Sequence, residues 1–448
     1  MNTICAISTP YGGGGIAVIR VSGESAISIV DSLFHGRKSL KEAAAYTVHY
    51  GEVRRDARGE EVLDQVLVSV FRAPHSFTGE DVVEIACHGS VYIQQTLLQW
   101  LVDAGCQLAK AGEFTQRAFL NGKMDLTEAE AVADLIAAQT KAEKDLALSQ
   151  LRGGISNELA VLRERLLTIT SLIELELDFA DHEELEFADR SQLNELAEEI
   201  NAKIGHLVAS FKTGNAIKQG IPVAIIGAPN VGKSTLLNAL LGEERAIVSD
   251  IQGTTRDTIE DTLVLGGMLF RFIDTAGLRQ TEDTIESMGI ERSRQAAQKA
   301  AVIIHLQDAT KPVDTLSELE DISEKKIIQV YNKVDLLGER REAQGEEMIF
   351  LSAKSGDVEV LKEQLITYAT EQCDMRNAVT ISNTRHYEAL VRAQEAIKRV
   401  QEGLLMQISG EFLSMDLQDC LTALGEITGQ ISSQEVLNNI FSKFCIGK

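Results

Sequence analysis

The sequence is poor in positive charge, in long apolar runs and in paired cysteines. Lys and Arg number 43 against 67 Asp and Glu, a formal charge of -24 over 448 residues. A protein that coats nucleic acid by bulk attraction needs cations to displace counterions, so this balance argues against such a role, although a local basic patch could still bind RNA. No apolar stretch approaches the ~20 residues of a membrane span, and Met1-Asn2-Thr3-Ile4-Cys5 carries no signal-peptide pattern. A cytoplasmic chain that engages no membrane is expected. Cys5, Cys87, Cys106, Cys373, Cys420 and Cys445 form no CxxC pair, which favours reduced core thiols over a disulfide framework or a metal site. Internal repeats and low-complexity tracts are lacking too. What remains is an ordinary globular mixture, 44% hydrophobic and 25% charged, long enough for about three folding units.

Periodicity divides the chain. Residues 1–120 carry short β-type runs at Thr3 to Ser8, Ile16 to Val21, Thr47 to Val53, Val66 to Arg72 and Val82 to Cys87, with a helix across Val91 to Ala104, and predict an α+β domain. Residues 121–215 read as helical. Thr127 with Glu130 has capping-box spacing, Gly153-Gly154 interrupts the pattern, and Ile155, Leu159, Leu162, Leu166, Ile169 and Ile173 draw one apolar stripe. The carboxylate-rich stretch from Glu174 to Asp189 reads as a solvated face or loop in preference to a cation site. Residues 216–377 alternate strand, loop and helix. Residues 378–448 return to helical spacing, with Leu390, Ala393, Ile397, Val400 and Leu404, then Leu417, Leu421 and Leu424. The last helix offers Ser432 with Glu435 as its cap and Val436, Leu437, Ile440, Phe441 and Phe444 as its stripe. The simplest architecture inserts the α/β module into one helical domain.

The most specific motif is Gly227-Ala228-Pro229-Asn230-Val231-Gly232-Lys233-Ser234, a GxxxxGK[ST] match between the apolar run Val223 to Ile226 and a helix start at Thr235. Its backbone N–H groups suit phosphates, Lys233 supplies charge to the β and γ phosphates, and Ser234 offers a hydroxyl to Mg2+. Further elements follow in GTPase order. Gly253-Thr254-Thr255-Arg256-Asp257 offers Thr255 to the magnesium shell. Asp274-Thr275-Ala276-Gly277 follows the run Leu269 to Ile273, Asn332-Lys333-Val334-Asp335 follows Ile327 to Tyr331, and Ser352-Ala353-Lys354 follows Met348 to Leu351. Asp335 selects the base, since its carboxylate accepts from guanine N1–H and the 2-amino group while adenine lacks both donors. After Gly277 stands Leu278, which cannot orient water. Glu286 is a candidate for positioning it, and on spacing alone Glu282 and Asp283 are equal alternatives. No built-in arginine finger is assignable, although Arg256 and Arg279 lie nearby, so another positive charge is needed; the Asn230 amide oxygen could help ligate a monovalent cation.

Together with Thr9-Pro10, Gly12 to Gly15 and Arg20, with Gly79-Glu80-Asp81-Val82-Val83-Glu84 and His88-Gly89, with Gly112 to Lys123, and with the terminal Phe444-Cys445-Ile446-Gly447-Lys448, these motifs make the whole chain resemble the MnmE (TrmE) family of tRNA-modification GTPases. The resemblance implies an N-terminal folate-binding and dimerisation domain, a helical domain, and a Ras-like P-loop GTPase domain inserted in it. It places Asn230, Val231, Gly232, Lys233, Ser234 and Thr235, the segment Ser249, Asp250, Ile251, Gln252, Gly253, Thr254 and Thr255, and the three later motifs around GTP. It implies Mg2+ on Ser234 and Thr255, K+ on Asn230, Ser249, Ile251 and Thr254 in place of an arginine finger, and Glu286 as the catalytic glutamate beside Lys233. It puts Arg20, Glu84, Lys123 and Lys448 at a site for a tetrahydrofolate derivative, 5-formyl or 5,10-methylene. Glu84 suits the paired donors of a pterin and the basic residues suit the glutamate tail, while the bland alternative for Arg20 and Glu84 is a strand-surface ion pair.

Cys445 is either a thiol near the one-carbon site or a residue that ends the last packed stripe; Cys87 and His88, adjacent on a strand, face opposite sides. The activity implied by the resemblance is K+-activated GTP hydrolysis coupled to installing an aminomethyl-type (carboxymethylaminomethyl) group at C5 of wobble uridine 34 of tRNA. The implied partners are a second copy and the flavoprotein MnmG, together a heterotetramer. The rivals are a ribosome-assembly or RNA-chaperone GTPase switch and a folate-dependent methyltransferase with a regulatory GTPase domain.

Overall fold

A computed structural model describes residues 2–55, 61–178, 190–242, 261–273, 294–316, 322–323, 325–337, 348–372 and 379–447. It divides into two compact units. One comprises Met1–Ile136, Gln150–Leu167 and Gln418–Lys448, and the other Ala137–Ser149 and Thr168–Leu417.

The first unit is built on a seven-stranded sheet of β1 (Ile4–Ile7), β2 (Ile16–Ser22), β3 (Phe34–Gly36), β4 (Thr47–Arg54), β5 (Val62–Phe71), β6 (Val82–His88) and β7 (Gln107–Leu108), in the order β3-β4-β5-β6-β2-β1-β7. All neighbours are antiparallel except β1 and β7. Alternation decides its two faces. Ala17, Ile19 and Val21 of β2 pack with Ala26, Ile27 and Val30 of helix Ala26–Leu33 and with Leu97, Trp100 and Leu101 of helix Val91–Asp103. The other face carries Ile16, Val48, Tyr50 and Leu67 exposed, while Phe114 of helix Glu113–Leu120 covers its β1 end and Ser22 and Val82 on the same face are also buried. Runs too short to show a period, β3 and β7, were not foreseen.

The helical residues of this unit fill their stripe as expected. Ile155, Leu159, Leu162 and Leu166 of helix Gly154–Asp178 are all buried, and Gly153, at positive φ, separates that helix from Lys141–Leu151. Two caps differ from the spacing-based expectation. Asp125, not Thr127, caps helix Leu126–Ala137: its Oδ1 accepts from Glu128 N–H at 2.9 Å while Glu128 Oε2 accepts from Asp125 N–H at 2.9 Å. Thr127 and Glu130 are buried within the helix instead. At the last helix, Gln434–Ser442, the cap is Ser433 and not Ser432, with its Oγ accepting from Val436 N–H. That shift leaves Leu437 and Phe441 buried and Val436 exposed. A serine pair satisfies the same orphan N–H groups from either position, and packing chooses.

The second unit contains a six-stranded sheet of β8 (Ile221–Ile226), β9 (Asp261–Leu265), β10 (Met268–Phe272), β11 (Val302–Asp308), β12 (Lys326–Asn332) and β13 (Met348–Phe350), in the order β13-β12-β11-β8-β10-β9. Only β9 runs antiparallel to its neighbour. Helices Lys233–Leu241 and Glu359–Gln372 cover one face through Leu236, Leu237, Leu361 and Leu365, and Ala296, Ala297 and Ala300 cover part of the other, which explains why β11 is buried from Val302 to Gln307 and apolar there except at His305 and Gln307. Helices Arg190–Gln219 and Thr384–Leu405 pack together, with Phe211 stacked on Tyr387 at 4.4 Å between centroids. Asn383 caps the latter by accepting from Arg385 N–H.

Candidate functional site

Parallel strands β8, β11 and β12 deliver their ends to one edge, and the predicted phosphate and base motifs meet there. The loop after β8 enters helix Lys233–Leu241 through Gly232, whose φ of 100° and 2.4 Å approach to Asn332 Nδ2 at the Cβ position admit only glycine. That approach has a purpose. Asn332 Nδ2 donates to Val231 O at 2.8 Å, and Asn332 Oδ1 accepts from Ala353 N–H at 2.9 Å, so one amide ties the phosphate loop to the Ser352-Ala353-Lys354 loop. Ser352 Oγ donates to Asp335 Oδ1 at 2.7 Å, orienting the carboxylate predicted to select the base.

Lys233 Nζ donates to the carbonyls of Gly227 and Ala228 at 2.8 and 3.0 Å, and burial lowers its pKa from the usual lysine value. Ser234 and Thr235 stand exposed in the first turn. Asn230 adopts φ 61°, and its carbonyl accepts from Lys333 Nζ at 2.7 Å. Lys333, itself at φ 66°, also pairs with Asp308 Oδ2 at 2.8 Å. Asp308 was missed in the sequence, where its only signal is its place at the end of an apolar strand followed by Ala309-Thr310. Ser249, Asp250, Ile251, Gln252, Gly253, Thr254, Thr255, Asp274, Thr275, Ala276, Gly277 and Glu286 lie outside the described residues.

The second group of candidates sits on the other unit's open sheet face. Arg20 and Glu84 are directly opposite in the β2–β6 register. Arg20 Nε and Nη2 both reach Glu84 Oε1, at 2.9 and 2.8 Å, and Glu84 Oε2 has no hydrogen bond among the described residues. The Arg20 guanidinium lies 5.5 and 5.6 Å from the ring centroids of Phe77 and Phe114. The tail arrives beside it: Ile446 bridges Ala111, Gly112 N–H donates to Cys445 O at 3.3 Å, and Gly447 O accepts from Ser8 Oγ at 3.2 Å and Arg20 Nη1 at 3.5 Å. Gly447, at φ 93°, would place a Cβ 2.4 Å from Ile7 O, so a side chain there would push the tail off.

Lys123 Nζ donates to Pro74 O at 3.0 Å, on the loop that also carries Phe77. Arg117, almost wholly buried, clamps Glu80 and Glu113 and so fixes that loop to the helix bearing Phe114. Phe77 was not singled out in the sequence, and Phe114 and Arg117 entered only within the stretch Gly112 to Lys123 with no role assigned, because their roles depend on a tertiary meeting. Cys445 is exposed, and Lys448 lies outside the described residues. Cys87 is buried, which pushes its thiol up to about 11, while His88 faces solvent and binds Asp64 at 2.7 Å, so the two do not form a thiol–imidazole pair.

Comparison with known proteins shows the family. Residues 126–445 match the model of the MnmE helical domain, and residues 3–123 match that of the GTP-binding protein TrmE N-terminus. The tRNA modification GTPase MnmE of Parabacteroides distasonis is 53% identical across 100% of both chains. Its counterpart from Bacteroides fragilis is 52% identical, and that from Flavobacterium johnsoniae 49%, each over 100% of this chain and 99% of the relative.

Proposed function

Since this chain belongs to the MnmE family of tRNA modification GTPases, we propose that it hydrolyses GTP to drive a folate-dependent modification at C5 of wobble uridine 34, working with a flavoprotein partner of the MnmG type. The observation that carries the nucleotide half is the Asn332 amide, which holds the phosphate loop and the Ser352 loop against each other with Asp335 alongside. Guanine presents two donors to Asp335, and the phosphates draw Lys233 from its carbonyl partners because they are the stronger acceptors. Ser234, with Thr255, is a hard oxygen donor suited to Mg2+, and the Asn230 amide oxygen, with Ser249, Ile251 and Thr254, suits K+. Both ions, when bound, supply positive charge opposite the phosphate oxygens. Glu286 positions the attacking water.

For the modification half, Glu84 Oε2 is an acceptor for a pterin's paired donors, while Arg20, Lys123 and Lys448 supply charge for the glutamate tail. The folate derivative, 5-formyl or 5,10-methylene, supplies the one-carbon unit. The open sheet face, with Ile16, Val48, Tyr50 and Leu67 exposed, suits pairing with a second copy in a homodimer, and MnmG completes a heterotetramer. No helix among the described residues is long and apolar enough to cross a membrane, and we place the protein in the cytoplasm.

Reconstitution tests this reading. The purified chain, the flavoprotein, substrate tRNA, a folate derivative and GTP should yield carboxymethylaminomethyl-type uridine at position 34. GTP turnover with unaltered tRNA would reduce the protein to a nucleotide switch.

A further inference from the structure

The edge that carries the nucleotide motifs also carries a negative charge that none of them explains. Asp308 ends β11, and its two carboxylate oxygens are used in opposite directions. Oδ1 accepts from Thr310 N–H at 2.9 Å and Thr310 Oγ1 at 2.6 Å, which locks the carboxylate to its own turn. Oδ2 accepts from Lys333 Nζ at 2.8 Å, and the same ammonium reaches across to Asn230 O at 2.7 Å. The segment is held from the main chain too, since Ala309 N–H donates to Asn332 O at 2.8 Å. Three loops, after β8, β11 and β12, are thereby cross-tied through one lysine. Asn230 and Lys333 both sit at positive φ, a conformation asparagine adopts readily but lysine rarely does unless its surroundings hold it there.

A carboxylate beside a site for a triply charged anion weakens binding by simple repulsion. Its placement is understandable if it does something that outweighs that repulsion. We infer that Asp308 is a positioning residue for guanine nucleotide, holding Lys333 across the phosphate loop at Asn230 so that the base-reading and phosphate-reading loops are ordered before the ligand arrives. The inference rests on the GTPase reading and adds to it a residue outside the recognised motifs. Preorganisation of this kind slows release more than it speeds arrival.

The two views of Asp308 predict opposite signs. Removing the charge tightens binding if repulsion dominates and loosens it if the brace dominates. The experiment is the release of a fluorescent GDP from the full chain at neutral pH, by stopped flow. Asp308→Asn should release it about tenfold faster, a loss of the size expected for a charge-assisted hydrogen bond. Thr310→Val, which keeps the carboxylate but removes one of its anchors, should accelerate release less, in the same direction, and it serves as the deciding variant if Asp308→Asn folds poorly. Asp308→Glu should recover most of the loss. Release that is unchanged or slower in Asp308→Asn overturns the inference. So does equal acceleration by Asn and Glu, because packing and not the carboxylate would then set the rate. A wild-type chain that fails to bind GDP defeats the GTPase reading itself, and this inference with it.

Discussion

The two candidate sites hold their charges in different ways. At the parallel-sheet edge, side chains grip main-chain groups of loops: Lys233 holds the carbonyls of Gly227 and Ala228 within its own loop, while Asn332 holds Val231 and Ala353 and Lys333 holds Asn230 across loops. On the antiparallel sheet, Arg20 and Glu84 grip each other across adjacent strands. In the first arrangement a ligand trades places with carbonyls and leaves the frame standing. In the second it must share a partner that is already paired, and Glu84 Oε2 is the carboxylate oxygen left without a hydrogen bond among the described residues. The contrast separates a site built by loop-to-loop ties from one built by strand register.

The sharpest way to test the loop-tied site is to remove its chemistry without its frame. Glu286→Ala should lower single-turnover GTP hydrolysis by about 10²- to 10⁴-fold with GDP affinity retained. Turnover within a few fold of wild type would take Glu286 out of the mechanism. Asp335→Asn should cut GTP affinity by about a hundredfold, as two bonds to a charged acceptor are disturbed at once. Direct titration measures it, and an affinity within threefold of wild type would show that Asp335 does not read the base. For the register-built site, Glu84→Gln should weaken binding of 5-formyl-tetrahydrofolate about tenfold in calorimetry while leaving GDP affinity alone. An equal loss of both ligands would erase the distinction between the two sites.

The smallest effect expected is one of pH. The Lys333 ammonium and the Thr310 bonds hold the Asp308 carboxyl down to about 2, below its ordinary ~3.9. A folded carboxyl with a depressed pKa contributes stability above the unfolded value and loses it as pH falls through the folded one. The difference in melting temperature between wild type and Asp308→Asn should therefore stay level from pH 8 to pH 5 and shrink only below ~3.9, as the carboxyl protonates toward about 2. A difference that fades near neutrality would mean that the pairing is not what the substitution removes.

Legibility in the sequence follows the same division. The phosphate loop was readable because its chemistry depends on neighbours in the chain: Gly232, Lys233 and the helix start are consecutive. Asp308 was not, since its partner Lys333 is 25 residues away and an aspartate closing a strand has many ordinary uses. Arg20 and Glu84 were readable as residue types and their ion pair as one alternative, but the register that brings them opposite each other is set by loops whose geometry the sequence does not show. Short β3 and β7 left no periodic signal, and the caps at Asp125 and Ser433 fell one or two positions from the spacing-based choice because several polar residues there could serve. The long stripes of the helical domain were legible residue by residue, as Ile155 to Leu166 and Leu390 to Leu404 show.

The contact between Ser8 and Gly447 spans 439 positions. During synthesis at about 5 to 20 residues per second, Ser8 is made roughly 20 to 90 s before Gly447. Through that interval Arg20 and the Ala111–Gly112 edge meet water where the tail will dock. Until Gly447 has been made, Ser8 Oγ and Arg20 Nη1 lack the carbonyl to which both donate in the folded chain, so this corner of the sheet is the last to close.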